Sequence, residues 1–293
     1  MSEVSDIETS RNKSVVKFRR PLNKQQIKTL HLLYWYRFCT SKQLAHSLKR
    51  PSPKSIQNKL QILEGQGLIS KRYDKSYKLA GRPAEYYITP KGARALEAAQ
   101  PNTTNQWATK SLYKNKTVSE DFLKHAVTIV DTVHQLRAIY GTSDTLTTLT
   151  KCYMAQYSHY PTWTPDLHLQ VHKTVTSKTR QHYFLDVWDG TKPFFVTVRK
   201  VLSYVKFKEE GDWLDDTPFP AMLAICEDKR AQTKLNRQMK RILNDTWDDE
   251  LIFATTTKQQ LHEATKPTDK IWLKIDMDGT PEKATLRSLF VTS

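Results

Sequence analysis

Residues 52–69 read Ser-Pro-Lys-Ser-Ile-Gln-Asn-Lys-Leu-Gln-Ile-Leu-Glu-Gly-Gln-Gly-Leu-Ile. Ser52 followed by Pro53 is typical of a helix start, because the N–H that proline lacks would have no partner in the first turn. The apolar residues then return at the helical spacing i, i+4, i+7, which predicts one buried stripe of Ile56, Leu60 and Leu63. The two glycines that follow are expected to end the helix, and the last two residues to begin a strand.

Two shorter helices are predicted before this stretch, and a strand and a helix after it. Asn23 is the expected N-cap of the first helix, and Thr40 or Ser41 begins the second, which stops at Pro51. Residues 85–89 are the expected partner strand, and a last helix covers about residues 90–99. The order helix, helix, helix, strand, basic loop, strand, helix predicts a winged helix-turn-helix domain over residues 21–100.

The polar face of the 52–64 helix carries side chains suited to DNA. Opposite the apolar stripe are Lys54, Ser55, Gln57, Asn58 and Gln61, with Lys59 beside them. Amides such as Gln57 and Asn58 can read adenine in the major groove, and lysines can hold phosphates. An ordinary solvated face is the alternative, but no acidic residue occurs between Glu8 and Glu64, which favours DNA. Ser52, at the anion-attracting helix N-terminus, and Lys42 complete these predicted contacts.

The segment between the two predicted strands, residues 70–84, forms a strongly basic loop. Its cations are Lys71, Arg72, Lys75, Lys78 and Arg82. The sequence Gly81-Arg82-Pro83 places an arginine between a flexible and a fixed backbone unit, so Arg82 is a candidate to enter a narrow minor groove. A solvated hairpin tip is an equally open interpretation.

The charge of the chain is concentrated at one end. The 293 residues carry a formal net charge of +16. Residues 1–100 hold 20 Lys and Arg against 7 Asp and Glu, whereas residues 101–293 hold 26 against 23. Such a surplus indicates a polyanionic partner, and double-stranded DNA is favoured over a membrane, because no apolar run approaches the ~20 residues of a membrane helix.

No secretion or cofactor signal accompanies this charge. The first thirty residues lack the apolar core of a signal peptide, and three distant cysteines suggest neither a disulfide framework nor a zinc ribbon. We therefore expect a cytoplasmic protein, associated with the nucleoid or a plasmid, that needs no cofactor.

The rest of the chain predicts a second domain of mixed α/β class over residues 119–293. Residues 101–118 are rich in turn formers and are the expected linker, and residues 1–20 are the expected flexible basic arm. Ser119 caps a predicted helix to about Tyr140. Strands are expected near 145–157, 166–172, 182–188, 219–226, 251–256 and 271–276, and helices near 195–208, 228–243 and 258–264.

Several motifs together resemble a known family. Gln-Leu-Ala at 43–45, the helix end at 63–69 and Gly-Arg-Pro…Tyr-Tyr-Ile-Thr-Pro-Lys-Gly at 81–92 are similar to winged-helix transcription regulators. Thr-Pro-Asp166, Tyr-Phe-Leu-Asp186 and Lys-Val-Leu-Ser-Tyr204 resemble the replication-relaxation family of plasmids and integrative elements. The resemblance implies DNA binding in replication, mobilisation or transcription control. It also implies a second domain similar to restriction endonucleases, usually degenerate.

A metal-dependent nuclease is the enzymatic alternative. Asp166 and Asp186 lie on two predicted strands and could together bind Mg²⁺, which would activate water against a phosphodiester. Such nucleases also use a lysine two residues after the second acid, and this sequence has Trp188 there. Lys192 or Lys200 could substitute, but nothing in the sequence shows it. We therefore expect a protein that is not an enzyme.

The remaining features concern surfaces and partners. His168 and His172 alternate on one face of a strand and are about 13 Å apart, too far to share a metal, so surface positions are expected for them. The apolar seam of the 119–140 helix fits an intramolecular core better than a dimer interface, although regulators of this kind bind as homodimers. The 228–243 helix is an equally balanced candidate for a second DNA contact through Lys234, Arg237, Lys240 and Arg241. An adaptor that recruits a replication or conjugation protein is a third possibility.

Overall fold

The structure is a computed structural model of the chain, and it describes residues 21–104, 106–141, 145–172, 180–214, 217–246, 250–275 and 281–290. The predicted basic arm, residues 1–20, lies outside the described residues. No described helix is both long enough and apolar enough to cross a membrane. The architecture is mixed α/β with two sheets, as predicted.

The first part of the chain surrounds a small antiparallel sheet whose strand order is β1-β3-β2. Its elements are α1 (Lys24–Tyr36), β1 (Cys39–Thr40), α2 (Ser41–Ser47), α3 (Lys54–Gly65), β2 (Ile69–Arg72), α4 (Lys75–Leu79), β3 (Glu85–Ile88) and α5 (Pro90–Ala99). Capping boxes at Asn23 and Thr40 begin α1 and α2, as the sequence predicts. Pro53 is already helical, so the Ser52 side chain does not cap α3, which differs from the prediction.

The turn that joins α3 to β2 packs closely on the start of α5. A Cβ atom on Gly92 would lie 1.9 Å from the backbone oxygen of Leu68, so only glycine allows this approach. Thr89 caps α5 and also donates a hydrogen bond from its hydroxyl to Gly67 O at 2.8 Å. These contacts fix the end of α3 relative to the small sheet.

The segment predicted as a basic loop contains a helix. Asp74 accepts hydrogen bonds from the backbone N–H groups of Ser76 and Tyr77 and so begins α4. Tyr77 is buried in a small cluster with Phe38 and Leu123. One buried aromatic ring therefore folds the middle of this segment onto the protein, an effect that its polar composition did not indicate.

The predicted linker also carries regular structure. It contains α6 (Gln106–Leu112) and a 3-10 helix (Tyr113–Lys116), followed by α7 (Glu120–Tyr140). Ser119 caps α7 as predicted. The α7 residues Ile129, Val133 and Leu136 are buried in the main core, which agrees with the intramolecular interpretation of the seam. The domain boundaries themselves stay a prediction.

The second part of the chain is built on a seven-stranded sheet with the order β10-β9-β8-β7-β6-β5-β4. Strands β6, β7 and β8 are parallel to one another, and every other neighbouring pair is antiparallel. The elements are β4 (Leu146–Thr150), α8 (Lys151–Met154), β5 (Leu167–His172), β6 (Arg180–Trp188), α9 (Phe194–Glu210), β7 (Ala221–Cys226), α10 (Lys229–Thr246), β8 (Phe253–Thr257), α11 (Lys258–Glu263), β9 (Trp272–Ile275), β10 (Glu282–Ala284) and a 3-10 helix (Arg287–Phe290).

Both faces of the large sheet are covered. One face packs on α7 in a core that continues without interruption to α1, α3 and α5 of the first part. The other face packs on α9 and α10 through residues such as Phe184, Tyr204 and Met239. Polar residues that alternate with apolar ones along β5 and β6 are therefore inside the protein as well, which the alternation alone could not reveal.

Candidate nucleic-acid interface and carboxylate cluster

Helix α3 buries one stripe and exposes the opposite face. The three predicted core residues, Ile56, Leu60 and Leu63, are buried. The predicted contact residues Lys54, Ser55, Gln57, Asn58 and Gln61 are exposed, as is Lys42 on α2. Lys59 is half-buried and contacts the side-chain oxygen of Gln25 on α1. The structure thus brings the predicted α3 contact residues onto one accessible surface.

A cavity of about 290 Å³ opens beside this surface, between α1 and the turn from α2 to α3. Its cations are Lys28, Lys49, Arg50 and Lys59, and no acidic residue of the described part of the chain lines it. Four cations without a described counter-charge suit an anion such as a phosphate group.

The arginines of the predicted basic loop face the protein rather than solvent. Arg82 Nη1 lies 2.9 Å from Glu120 Oε2, and Arg72 Nη2 lies 2.9 Å from Glu120 Oε1. The Arg82 guanidinium also lies 4.3 Å from the centroid of the Tyr77 ring. Burial alone would raise the pKa of Glu120, but the Arg82 hydrogen bond and the charges of both arginines outweigh burial and lower it. Glu120 thus joins this segment to α7.

The lysines of the same segment are more accessible. Lys75 and Lys78 are exposed on α4, and Lys71 forms an ion pair with Glu64 at 3.0 Å. Of the predicted contact residues within 70–84, Lys75 and Lys78 are therefore both exposed and free of an ion pair with any described residue. Nothing in the local sequence around Arg82 indicates that a glutamate 38 residues away pairs with it.

The two predicted carboxylates meet across neighbouring strands. The register that pairs Leu167 with Leu185 places Asp166 opposite Asp186. The backbone N–H of Asp166 donates to Asp186 Oδ1 at 3.2 Å, and that of Val187 donates to Asp166 Oδ2 at 3.0 Å. Both carboxylates are buried, at 4% and 1% residue exposure. This pair is the centre of what we call the carboxylate cluster: His125, Lys151, Asp166, Asp186, Asp189 and Lys200.

Lysines from two helices pair with the carboxylates. Lys200 of α9 contacts Asp186 Oδ1, and Lys151 of α8 lies 2.6 Å from Asp166 Oδ1. Lys192 instead lines a small cavity of about 30 Å³ together with Asp166 and Lys200. A lysine thus reaches the second acid from α9, although Trp188 occupies the position where the sequence pattern would place one.

A histidine that sequence reasoning missed completes the cluster. His125 Nδ1 lies 2.8 Å from Asp189 Oδ2, and His125 Nε2 lies 3.1 Å from Asp166 Oδ1. Burial alone would lower the pKa of His125, but the hydrogen bonds and charges of the two aspartates outweigh it and raise the pKa to about 9. His125 lies four residues before Ile129 on α7, and this spacing was the one sequence signal that could have predicted a buried histidine here.

The two central carboxyls have different proton affinities. Burial raises the pKa of Asp186, and the charge of Lys200 offsets this only in part. Burial acts on Asp166 in the same direction, but Lys151, Lys200 and His125 lower its pKa well below its ordinary value. Asp186 Oδ2 is buried, and none of the described residues forms a hydrogen bond with it. No group of three or more His, Cys, Asp or Glu side chains among the described residues could hold a metal ion.

A family model described as replication-relaxation matches residues 30–221, about two thirds of the chain. The chain belongs to the replication-relaxation family. Membership implies a role in the replication or relaxation of plasmid or mobile-element DNA. No curated protein and no solved structure matches the chain significantly. The match covers α3 and the carboxylate cluster, whereas α10 lies beyond its end.

The surface histidines predicted on β5 of this replication-relaxation protein require a correction. His168 is 1% exposed, so the prediction is wrong for it, whereas His172 is half-exposed. His168 Nε2 and His182 Nδ1 are hydrogen-bonded at 2.9 Å, and Tyr160 Oη lies 2.7 Å from His168 Nδ1. The cause is that the rings of Tyr160 and Trp213, which lie outside the helices, pack against His168 and cover the face that we expected to be solvated.

The basic helix α10 presents most of its cations to solvent. Leu235, Met239 and Ile242 are buried against the sheet. The predicted contacts Lys234, Arg237 and Arg241 are exposed, whereas Lys240 is half-buried and has a partner. Three of the four predicted contact residues of α10 are therefore exposed, and the fourth, Lys240, is not.

Proposed function

We propose that this replication-relaxation protein is a sequence-specific, non-catalytic double-stranded DNA-binding protein that reads the major groove with α3. The observation that carries the proposal is the exposed face of α3, where amide and lysine side chains stand together opposite a fully buried stripe. Side chains of these types recognise base edges and phosphates.

The arrangement around α3 supports a winged helix-turn-helix. Helix α3 follows α2 after a short turn, and the strands β2 and β3 follow α3 as an antiparallel pair. In this motif the second helix enters the major groove and neighbouring elements contact the backbone. The segment 70–84 corresponds to the wing, with Lys75 and Lys78 placed for phosphates.

The cavity between α1 and the α2–α3 turn supports the same orientation. Lys28, Lys49, Arg50 and Lys59 would hold a backbone phosphate beside the reading helix and so fix its register. We also propose Lys42, Ser52 and Lys71 as DNA contacts, and Lys71 would first have to leave Glu64. Arg72 and Arg82 would reach DNA only after leaving Glu120.

The second part of the chain would support this binding. We propose a domain of the restriction-endonuclease-like class that mediates homodimerisation, extra DNA contact or recruitment of a replication or conjugation protein. A homodimer would bind two half-sites related by its symmetry. Control of transcription at such a site, and a cytoplasmic location on a plasmid or the nucleoid, belong to the same proposal.

The test is salt-dependent binding of labelled duplexes, comparing fragments that flank the gene with scrambled DNA. We expect a flanking fragment to bind at least ~10³-fold more tightly than scrambled DNA. Gln57→Ala and Asn58→Ala should each reduce that preference by about 1–3 kcal/mol. Gln259→Ala, an exposed amide on α11, is the matched control and should change nothing. Equal affinity for every duplex would contradict sequence-specific recognition.

A metal-dependent nuclease remains the second candidate, because Lys200 reaches Asp186 directly opposite Asp166. The unpaired Asp186 Oδ2 fits a cation, and Mg²⁺ is commonly held by two carboxylates and water. A bound cation would activate water for phosphodiester cleavage. The existing partners favour the non-catalytic proposal, because Lys151 and His125 already neutralise Asp166.

Supercoiled DNA distinguishes these two candidates. The wild-type protein is incubated with supercoiled DNA and Mg²⁺ or Mn²⁺, with Asp186→Ala as the inactive reference. We expect no nicking above the reference. Nicking by the wild type that Asp186→Ala abolishes would replace the non-catalytic proposal with the nuclease.

A further inference from the structure

The outer surface of α10 carries an uninterrupted row of cations. Its members share the spacing i, i+4, i+7, i+11 and are all exposed: Arg230, Lys234, Arg237 and Arg241. At 1.5 Å of rise per residue the row is about 16 Å long. The sequence from Lys229 to Asn244 contains no Asp or Glu. Within the described part of the chain, Arg230, Arg237 and Arg241 form no ion pair, so the described residues supply no counter-charge to these three arginines.

Helix α9 adds exposed apolar groups to the same surface. Phe195 is 60% exposed and Leu202 is 50% exposed, and they flank the exposed Arg199. The Arg199 guanidinium lies 5.8 Å from the centroid of the Phe195 ring. Lys234 Nζ lies 4.0 Å from the centroid of the neighbouring Phe194 ring, which joins the start of α9 to the α10 row. An accessible phenyl ring thus lies near Arg199 at the start of α9, one residue from the ring that Lys234 contacts.

We infer that this α9–α10 face binds single-stranded DNA. Cations that follow one line can hold successive phosphates of a strand, while an exposed ring stacks on a base. A duplex fits this face less well, because its bases already stack on one another and only its phosphates would be engaged. Membership of a replication-relaxation family favours DNA over RNA as the strand.

The position of the face in the fold supports this inference. Phe195 lies in the first turn of α9, and the nearby Lys192, Val196 and Thr197 line the small cavity beside Asp166. The carboxyl end of β6, where Asp186 lies, is at the same edge of the sheet. Ligands of open α/β sheets bind at the carboxyl ends of parallel strands. A single DNA strand bound on the α9–α10 face would therefore begin next to the carboxylate cluster.

The experiment measures fluorescence anisotropy of a labelled oligothymidylate of about 12 nucleotides with the full-length protein. Oligothymidylate is used because it cannot form a duplex with itself. We expect Phe195→Ala to weaken binding about tenfold and Phe195→Trp to preserve it. Arg237→Ala should reduce the log–log salt slope by about 0.7. Tyr113→Ala removes an aromatic ring that is 69% exposed elsewhere, and it should leave binding unchanged.

The outcomes separate this inference from the proposed role of α3. Asn58→Ala should reduce the preference for the flanking duplex by about 1–3 kcal/mol without affecting oligothymidylate binding. Phe195→Ala should weaken oligothymidylate binding without affecting that preference. Failure of wild-type protein to bind oligothymidylate would overturn the inference, as would equal effects of Phe195→Ala and Tyr113→Ala. Equal weakening of duplex and oligothymidylate by Phe195→Ala would assign the face to duplex phosphates instead. Tighter binding of oligouridylate would assign it to RNA.

Discussion

The α3 face and the carboxylate cluster use charged residues in opposite ways. The charged side chains on the exposed face of α3 are all positive, so their counter-charge has to come from a ligand. In the cluster, lysines and a histidine are paired with aspartates inside the protein. The role of a charge therefore depends less on its sign than on whether the fold already provides its partner. The first region is open to a ligand, which we propose is DNA, and the second contributes first of all to the fold.

Removal of a buried carboxylate should have the largest effect. Asp166→Ala leaves His125 Nε2 and the Val187 N–H, both inside the protein, without their carboxylate partner, so we expect a loss of about 3–5 kcal/mol of unfolding free energy. Urea denaturation measures it. Lys54→Ala on the exposed face is the matched control and should stay within about 0.5 kcal/mol of the wild type. Similar losses in both variants would show that the buried carboxylate stabilises the fold no more than an exposed lysine does.

The next effect concerns pH and His125. The folded-state pKa of about 9 lies above the ordinary value of 6.5, so the stabilisation is fully present below the ordinary value and is lost as pH rises through about 9. Between about pH 7 and about pH 9.5 the wild type should lose about 2 kcal/mol. His125→Gln should lose much less over this range. The same loss in both proteins would show that His125 carries no charge in the folded state.

Much of the first region could be predicted from the sequence, because α3 is determined by local signals. The spacing of Ile56, Leu60 and Leu63 fixes its buried stripe, and the polar face follows from that stripe. The cluster depends on contacts between elements far apart in the chain, such as Lys200 with Asp186 and His125 with Asp189. Its carboxylates could be named in advance, but their partners could not, because no local pattern records which helices cover the sheet.

Arg72 and Arg82 of the 70–84 segment are intermediate between the exposed lysines of α3 and the buried ion pairs of the carboxylate cluster. Glu120→Gln removes the charge that holds Arg72 and Arg82, so non-specific duplex affinity should rise by about fivefold, equivalent to about 1 kcal/mol. Fluorescence anisotropy measures it. Asp121→Asn removes an equal charge next to Glu120, without an arginine partner among the described residues. If both variants raise affinity equally, net charge alone explains the result and the arginines stay in place.

The smallest expected effect is a change of salt dependence. Lys54→Ala should lower the log–log salt slope of duplex binding by about 0.9 for the one phosphate contact that it removes. Lys283→Ala, which removes an exposed lysine of β10 outside both proposed DNA-binding surfaces, is the control and should leave the slope unchanged. An unchanged slope for Lys54→Ala would show that this lysine does not touch the backbone of DNA.

Helix α7 joins the two regions by direct polar contacts as well as by the core. Gln43 of α2 donates from Nε2 to Val127 O at 2.9 Å and to Asp131 Oδ1 at 2.8 Å, and Ser47 Oγ lies 2.8 Å from His134 Nε2. These contacts therefore hold α3 and the α9–α10 face at a fixed distance from each other. A DNA molecule that engages both must therefore place a duplex site and a single-stranded segment at that distance from each other. Lengthening the duplex between them by about ten base pairs, a full turn of about 34 Å, should release one of the two even though the helical phase is kept.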